Sequence, residues 1–190
     1  MALNRQRAIA AEIGDRSGEG AALGNLGLVY EAQGAFERAI AAHEQQLTIM
    51  NEIGHRQAVK NALGNLGNAF YRLGNLAQAA AYHQRCLTLS RELNDVQGVA
   101  NCLGNLGHVL FSLRDYERSL AYYEESLVIF RQLGDRFGEG RALGHVGTVM
   151  ARLGRIEAAR EYLEAGLAIA LALPDALAVR TIRRELERIV

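Results

Sequence analysis

The sequence has 190 residues, 49% of them hydrophobic and 22% charged, a balance typical of a folded globular protein that excludes a disordered chain. Lysine plus arginine and aspartate plus glutamate each total 21, so the chain lacks the basic surplus with which proteins bind nucleic acid. No apolar run approaches the roughly 18 residues of a membrane-spanning helix, no signal peptide is visible, and two cysteines indicate a reducing compartment. We therefore expect a cytoplasmic protein with neither nucleic-acid nor membrane partners.

One pattern recurs every 40 positions along the chain. Leu-Gly-Asn-Leu-Gly occupies residues 23–27, 63–67 and 103–107, and Leu-Gly-His-Val-Gly occupies 143–147. Self-similarity at a fixed period of this size is the signature of repeat architectures. The pattern predicts one domain over 1–190, made of a partial second helix, four repeats and a C-terminal capping helix, with bounds 1–14, 15–54, 55–94, 95–134, 135–174 and 175–190.

Each repeat contains two amphipathic segments with apolar residues at helical spacing, about 17–33 and 36–53 in the first repeat. The residues after the predicted helices are those that end helices, with Arg114 as the exception. They are Gly34, Gly74 and Gly154 after first helices, and Gly14, Gly54, Asn94, Gly134 and Pro174 after second helices. A single helix pair cannot bury its apolar face alone. The sequence therefore predicts an all-α fold, a solenoid of stacked antiparallel helix pairs.

The two ends of the chain differ from the repeats between them. Residues 1–14 align with 41–54, so the chain begins within a second helix, as a short cap or as the start of a fragment of a longer array. Residues 175–190 resemble a first helix with no second helix after it. Arg183 and Glu187 stand where the repeats carry the Leu23 and Gly27 that pack on a second helix, which is typical of a terminal cap.

The repeated residues resemble the tetratricopeptide repeat (TPR) pattern over essentially the whole chain. The matching residues of the first repeat are Asn25-Leu26-Gly27, Tyr30, Gly34, Phe36, Ala39 and Leu47. The 40-residue unit is similar to the repeats of Partner-of-Inscuteable-type scaffolds, kinesin light chains and the sensor regions of some bacterial regulators. The resemblance implies a right-handed superhelix whose concave surface binds peptides or other proteins.

Two sets of glycines lie inside the predicted first helices, where each costs about 1 kcal/mol relative to alanine. Gly27 and its equivalents indicate a close crossing of the two helices of a repeat. Gly24 and its equivalents have two interpretations. They either allow tight contact with the neighbouring repeat or leave a floor without side chains that the backbone of a ligand can approach.

No set of residues in the sequence predicts catalysis, a metal site or a cofactor. Cys86 and Cys102 occupy positions filled by small residues in other repeats, which favours buried structural thiols. His43 and His83 lie on the apolar stripe of second helices, which favours packing. His83 and Cys86 face the same way, but no third metal ligand is visible. We expect a protein that is not an enzyme.

Another face of the first helices carries polar residues, including asparagines that helix interiors disfavour. The residues on this face are Asn61, Asn101 and Arg141, then Asn25, Asn65, Asn105 and His145, then Asn68 and His108, and last Arg72 and Arg152. The asparagines either tie adjacent repeats together or pair with the backbone of a ligand, since an amide both donates and accepts hydrogen bonds. In the families that the chain resembles, asparagines in the register of Asn25, Asn65 and Asn105 contact bound peptides, which His145 does not match.

The sequence thus predicts a scaffold, monomeric or weakly dimeric, that binds an extended peptide segment of a partner in its concave groove. Because the positive residues of the groove concentrate in the later repeats, we expect acidic residues of the partner to lie over repeats three and four. Two alternatives stay open. One is a regulatory sensor module for a small ligand or signalling peptide within a larger protein, and the other is a self-associating structural repeat protein.

Overall fold

The computed structural model describes residues 2–189, and over these residues every regular element is an α-helix. The helices are α1 (Ala2–Glu12), α2 (Arg16–Ala32), α3 (Phe36–Glu52), α4 (Arg56–Leu73), α5 (Leu76–Glu92), α6 (Val96–Ser112), α7 (Tyr116–Leu133), α8 (Arg136–Arg152), α9 (Ile156–Ala172) and α10 (Ala176–Arg188). The predicted all-α fold is confirmed.

The helices begin and end at the residues that the sequence marks. At the starts of α2, α6 and α8, the side chains of Asp15, Asp95 and Asp135 accept hydrogen bonds from the backbone N–H three residues later. Glycines follow α1, α2, α3, α4, α7 and α8, and each has a positive φ, which glycine adopts without a steric cost. Asn94 and Arg114 adopt the same left-handed conformation, with φ of 55° and 62°.

The chain divides into two compact units, and the boundary in the sequence lies between Asn94 and Asp95. In the first unit, α1 to α5 pack in succession, each helix against the next. In the second unit, α6 to α10 do the same, and α10 also contacts α8. Within each unit the helix pairs therefore stack in chain order, as in an α-solenoid.

The two helices of a repeat run antiparallel, as contacts between α2 and α3 show. Near the start of α2, Gly20 faces the side chain of Met50, and near its end Gly27 faces the ring of His43. Residues later in α2 therefore contact residues earlier in α3, as in an antiparallel pair.

The glycine set that includes Gly27 sits where the helices cross most closely. A Cβ atom on Gly67 would lie 2.4 Å from the imidazole of His83, so no larger residue fits there without displacing the ring. The Gly24 set is not uniform. The first interpretation, contact with a neighbouring helix pair, holds at Gly144, where a Cβ would lie 2.9 Å from Ile182 of α10, but not at Gly24. A Cβ on Gly24 would lie 2.4 Å from the amide of Gln46, which belongs to its own repeat and not to a neighbouring one.

Each unit has its own core. The larger cluster of buried residues lies in the second unit and includes Leu120, Leu127, Leu143, Val146 and Val149. These side chains come from α7 and α8 and fix the two helices relative to each other. The floor and one wall of the site described below are therefore held by close packing.

Replacing Arg114 by glycine should stabilise the protein. At φ of 62° an L-residue with a side chain is strained by about 1 kcal/mol, part of which the flexibility of glycine in the unfolded chain offsets. We expect Arg114→Gly to raise the melting temperature by about 2 °C in thermal denaturation. Gly34→Ala is the matched control, because Gly34 has φ of 74° with no atom near its Cβ position, and it should lower the melting temperature. A lower melting temperature for Arg114→Gly would contradict the account.

Two glycines one helical turn apart should respond oppositely to alanine. Gly67→Ala should destabilise the first unit by roughly 1–3 kcal/mol, because the new methyl group overlaps the ring of His83. Gly64→Ala should stabilise it by up to about 1 kcal/mol, because its Cβ would make an ordinary contact, 3.6 Å from the Cys86 sulfur, and alanine favours helix. Chemical denaturation measures both. Equal effects of the two changes would show that the ring contact does not set the helix crossing.

Candidate functional site

The second unit contains a pocket of about 290 Å³ between α6 and α8, with α7 as its floor. We call it the α6–α8 pocket. The polar and aromatic side chains that line it are Gln97, Asn101, Asn105 and His108 from α6, Tyr123, Ser126 and Phe130 from α7, and Asp135, Phe137, Arg141 and His145 from α8 and its N-cap.

Small residues keep the α6–α8 pocket open above its floor. A Cβ on Gly107 would lie within 2.9 Å of the ring of Tyr123, so the ring packs directly against α6. One turn earlier, the nearest atom to a Cβ on Gly104 is the Ser126 hydroxyl oxygen at 3.8 Å. That hydroxyl donates to the carbonyl of Ala100 at 2.9 Å. Space therefore remains over Gly104.

Two histidines from different helices meet at the wall of the α6–α8 pocket. The Nε2 atoms of His108 and His145 lie 3.1 Å apart, so one donates a hydrogen bond to the other. The ring of Tyr123 stacks on His145 with centroids 4.9 Å apart and meets His108 edge to face at 5.5 Å. The three rings therefore form one rigid aromatic wall.

Burial keeps both imidazoles neutral. Burial, and secondarily the positive charge of Arg141, lower the pKa of His108 to about 4. The pKa of His145 is lowered well below its ordinary value by burial, then by His108 and Arg141. At neutral pH the wall is uncharged, and its hydrogen-bonded pair requires one histidine to be protonated on Nε2 and the other on Nδ1.

Arg141 is the cation of the α6–α8 pocket. Its guanidinium carbon lies 5.7 Å from the ring centroid of Phe137, so the ring supports the side chain without occupying its N–H donors. Among residues 2–189, no carboxylate forms an ion pair with it. Asp135 also lines the pocket, but its two oxygens accept from Gly138 N–H at 2.9 Å and from the amide of Gln97 at 3.1 Å. The donors of Arg141 are therefore available to a ligand.

The structure brings together part of the predicted polar face. Asn101, Asn105, His108, Arg141 and His145 all line the α6–α8 pocket.

The other predicted residues lie elsewhere. Asn25, Asn61 and Asn65 belong to α2 and α4 of the first unit, where Asn25 and Asn61 are exposed and Asn65 is half-buried. Asn68 and Arg72 line a shallow depression of the first unit.

Arg152 has a structural partner. Its guanidinium donates to the carboxylate of Glu185 at 3.1 Å, and that glutamate is buried on α10. Arg152 therefore ties α8 to α10, and the α6–α8 pocket does not include it.

Sequence reasoning missed the aromatic residues of the site. Tyr123 occupies the same repeat position as His43 and His83, and the sequence predicts only a packing role for residues at that position. Phe137 stands in the first turn of α8, where the preceding repeat has Gln97, and it is 44% exposed. An exposed phenylalanine at a position that is otherwise polar was the one signal that could have identified it.

The cysteines are buried, as their repeat positions indicated. Cys86 donates from its thiol to the carbonyl of Lys60 at 3.6 Å, and Cys102 is 4% exposed. Within the described part of the chain, no three His, Cys, Asp or Glu side chains are grouped so that they could hold a metal ion. No helix between residues 2 and 189 is both long and apolar enough to cross a membrane.

The histidine pair should make stability depend on pH. A histidine whose pKa is lower in the folded than in the unfolded state, where it is about 6.5, binds protons preferentially when unfolded. The free energy of unfolding should therefore fall as the pH drops from about 6.5 towards the pKa of His108, about 4.

His108→Gln combined with His145→Gln should flatten that dependence relative to the native protein. Urea denaturation at several pH values between 4 and 7 measures it. Parallel curves for the two proteins would show that the pair does not couple to folding.

Solved structures of several proteins resemble the fold of this chain at low sequence identity. Aspartyl phosphate phosphatase F from Bacillus subtilis matches with a TM-score of 0.91 and 15% identity, over 99% of this chain and 49% of that one. A Rap protein complexed with Competence and Sporulation Factor matches with a TM-score of 0.79 and 16% identity, over 90% and 51%. BtubC from P. vanneervenii matches with a TM-score of 0.76 and 20% identity, over 100% and 89%. The chain thus spans about half the length of the first two.

Sequence comparison establishes the family. Among curated proteins, none matches the chain. The family model described as tetratricopeptide repeat matches residues 18–92 and again 98–172, which together make up most of the chain. These two matches cover the helix pairs whose crossing glycines and left-handed turns are described above. The chain belongs to the tetratricopeptide repeat family.

Proposed function

We propose that this protein is an interaction module without catalysis of its own, and that the α6–α8 pocket binds an extended peptide segment of a partner. The observation that carries the proposal is the pocket itself. Hydrogen-bonding side chains and an arginine without an ion-pair partner converge there over a floor left open at Gly104. Concave sites of this kind, with a few placed polar groups, are typical of ligand binding.

The asparagines of the pocket would hold the peptide backbone. Asn101 is exposed and Asn105 half-buried, one helical turn apart on α6, so their amides lie along the same wall. An amide can donate to a carbonyl and accept from an N–H of the same ligand, which binds a peptide without reading its side chains. Each such pairing contributes about 1 kcal/mol net. The absence of a side chain at Gly104 lets the backbone approach closely.

Arg141 would give the pocket its preference for acidic residues. Phe137 supports the guanidinium and the neighbouring imidazoles are neutral, so Arg141 is the positive group that a ligand meets in this pocket. The carboxylate of Asp135, which also lines the pocket, already accepts from Gly138 and Gln97. A carboxylate of the ligand would pair with Arg141 and share its N–H donors. We extend the proposal to the first unit, where Asn25, Asn61, Asn65, Asn68 and Arg72 would contact further parts of a partner.

One of the comparisons supports a binding function. One protein of similar fold was solved in complex with Competence and Sporulation Factor, so this fold carries a bound partner in that case. A sensor for a small ligand is a second candidate, because a pocket of about 290 Å³ is close to the lower bound for small-molecule sites.

A selection with random 12-residue peptides tests the proposal. Peptides enriched on the native protein are synthesised and titrated against two variants. Gly104→Leu places a side chain in the open space over Ser126 and should weaken binding at least tenfold. Gly64→Leu, at the same position of the second repeat and beside Asn61 and Asn65, is the matched comparison. Unchanged affinity shows that the α6–α8 pocket alone holds the 12-residue peptide, and weakened affinity shows that the first unit contributes to binding. Arg141→Gln should remove the enrichment of Asp and Glu among the selected peptides.

The contrary outcomes are specific. If no peptide is enriched, or if enriched peptides bind Gly104→Leu as well as the native protein, the pocket is not a peptide site. Circular dichroism and melting curves of all variants exclude unfolding as the cause of lost binding.

A further inference from the structure

A second cavity lies on the other side of α8, between α8 and α10. Its volume is about 140 Å³, and we call it the α8–α10 pocket. Arg141 and His145 line this cavity as well as the α6–α8 pocket, because both side chains project from the ridge of α8 between them. A ligand that crosses α8 at this ridge would meet both cavities.

The C-terminal helix is fixed against α8 and makes a rigid wall. A Cβ on Gly144 would lie 2.9 Å from the side chain of Ile182, so this glycine is what lets α10 approach. Glu185 of α10 is buried and accepts hydrogen bonds from Arg152 at 3.1 Å and from Arg188 at 2.6 Å. The helix that the sequence predicts as a cap therefore also forms one side of a cavity.

The lining of the α8–α10 pocket suits an aliphatic side chain. Its polar groups are engaged locally: the Thr148 hydroxyl donates to the carbonyl of Gly144 at 2.8 Å, and the Asp175 carboxylate accepts from Ala178 N–H at 3.0 Å. Leu177 lines the same cavity and is 59% exposed, so its apolar side chain is accessible to a ligand. Covering it would remove apolar surface from water.

The hydroxyls of Thr148 and Thr181 both donate to carbonyls of their own helices, so neither is a donor for an acidic group of a ligand in this cavity. The hydrogen-bonding side chains, by contrast, converge in the α6–α8 pocket. The two cavities therefore favour different chemistries on either side of the guanidinium of Arg141.

From this arrangement we propose that the site recognises a two-part peptide motif. A carboxylate of the peptide binds beside Arg141 in the α6–α8 pocket, and an aliphatic side chain of the peptide binds in the α8–α10 pocket. Neighbouring packed helices are about 10 Å apart, and an extended peptide advances roughly 3.3 Å per residue. A distance of about 10 Å corresponds to about three residues, and because alternate side chains of an extended peptide share a face, the two side chains are two or four positions apart in the ligand. The inference rests on the proposed function. It adds the class of peptide that binds and the role of α10 as a wall of the second cavity.

Synthetic 12-residue peptides in a glycine–serine background test the motif. Each carries one Asp and one Leu, separated by one to six residues, in both orders. Titrations are followed by NMR of the isotope-labelled full chain, which measures weak binding. Affinity should be highest when the two residues are two or four positions apart, since they then share a face of the extended peptide. Replacing the peptide Leu by Ser should lower the affinity about tenfold, as expected for one aliphatic side chain removed from water.

A matched pair of surface variants locates the apolar contact. Leu177→Ser should abolish the advantage of the peptide Leu. Leu171→Ser removes a leucine of nearly equal exposure, 57%, that lines neither cavity, and should leave the advantage intact. Both residues are exposed, so both variants should keep the fold.

The failures of the two proposals are distinguishable. If binding depends on the peptide Asp and on Arg141 but not on the peptide Leu, its spacing or Leu177, the two-part motif is wrong and the proposed function stands. If no peptide of the set binds, or if binding is indifferent to Arg141→Gln as well, both are wrong.

Discussion

The contact between a glycine of a first helix and a ring of the second helix is the constraint on which the rest of this structure depends. Cβ atoms at Gly27 and Gly67 would overlap the imidazoles of His43 and His83. At these points the helices approach so closely that only a hydrogen atom fits between backbone and ring. The contact sets where the antiparallel helices cross, and its advantage in packing must offset the cost of glycine in a helix, about 1 kcal/mol per residue.

The same constraint builds the candidate site, because in the third repeat the ring that meets the glycine is a tyrosine. Tyr123 is held against Gly107 and stacks on His145 of the next helix pair. The ring that packs within the third repeat therefore also forms part of the wall of a cavity between the third and fourth repeats. The hydrogen bond between the Nε2 atoms of His108 and His145 completes that wall.

The second set of glycines shows how one repeated position gives different surfaces. The amide of Gln46 fills the space over Gly24, and Ile182 of α10 fills that over Gly144. Over Gly104 the nearest neighbour is a serine hydroxyl at 3.8 Å, and the space is open. Whether the space over this glycine is open therefore depends on the side chains that the neighbouring helices present, which differ from repeat to repeat.

Much of the fold could be predicted from the sequence, since the apolar spacing and the helix-ending residues report local structure. Even Arg114, which breaks the glycine rule, adopts the conformation of the glycines it replaces, because the turn is imposed by the helices on both sides. The polar face of α6 and α8 was also predicted. The roles of Tyr123 and Leu177 in the site were not predicted, because these roles depend on distances between helices that the sequence of a single helix does not specify.

The most direct test of the central claim is an NMR experiment on the histidine side chains. The chain has five histidines, and their imidazole nitrogens report contacts at known places. Adding a selected peptide to the full chain should shift the signals of His108 and His145, which line the α6–α8 pocket, and leave those of His43 and His83 unchanged. If the signals of His43 and His83 shift while those of His108 and His145 do not, the peptide binds elsewhere and the account of the site is wrong.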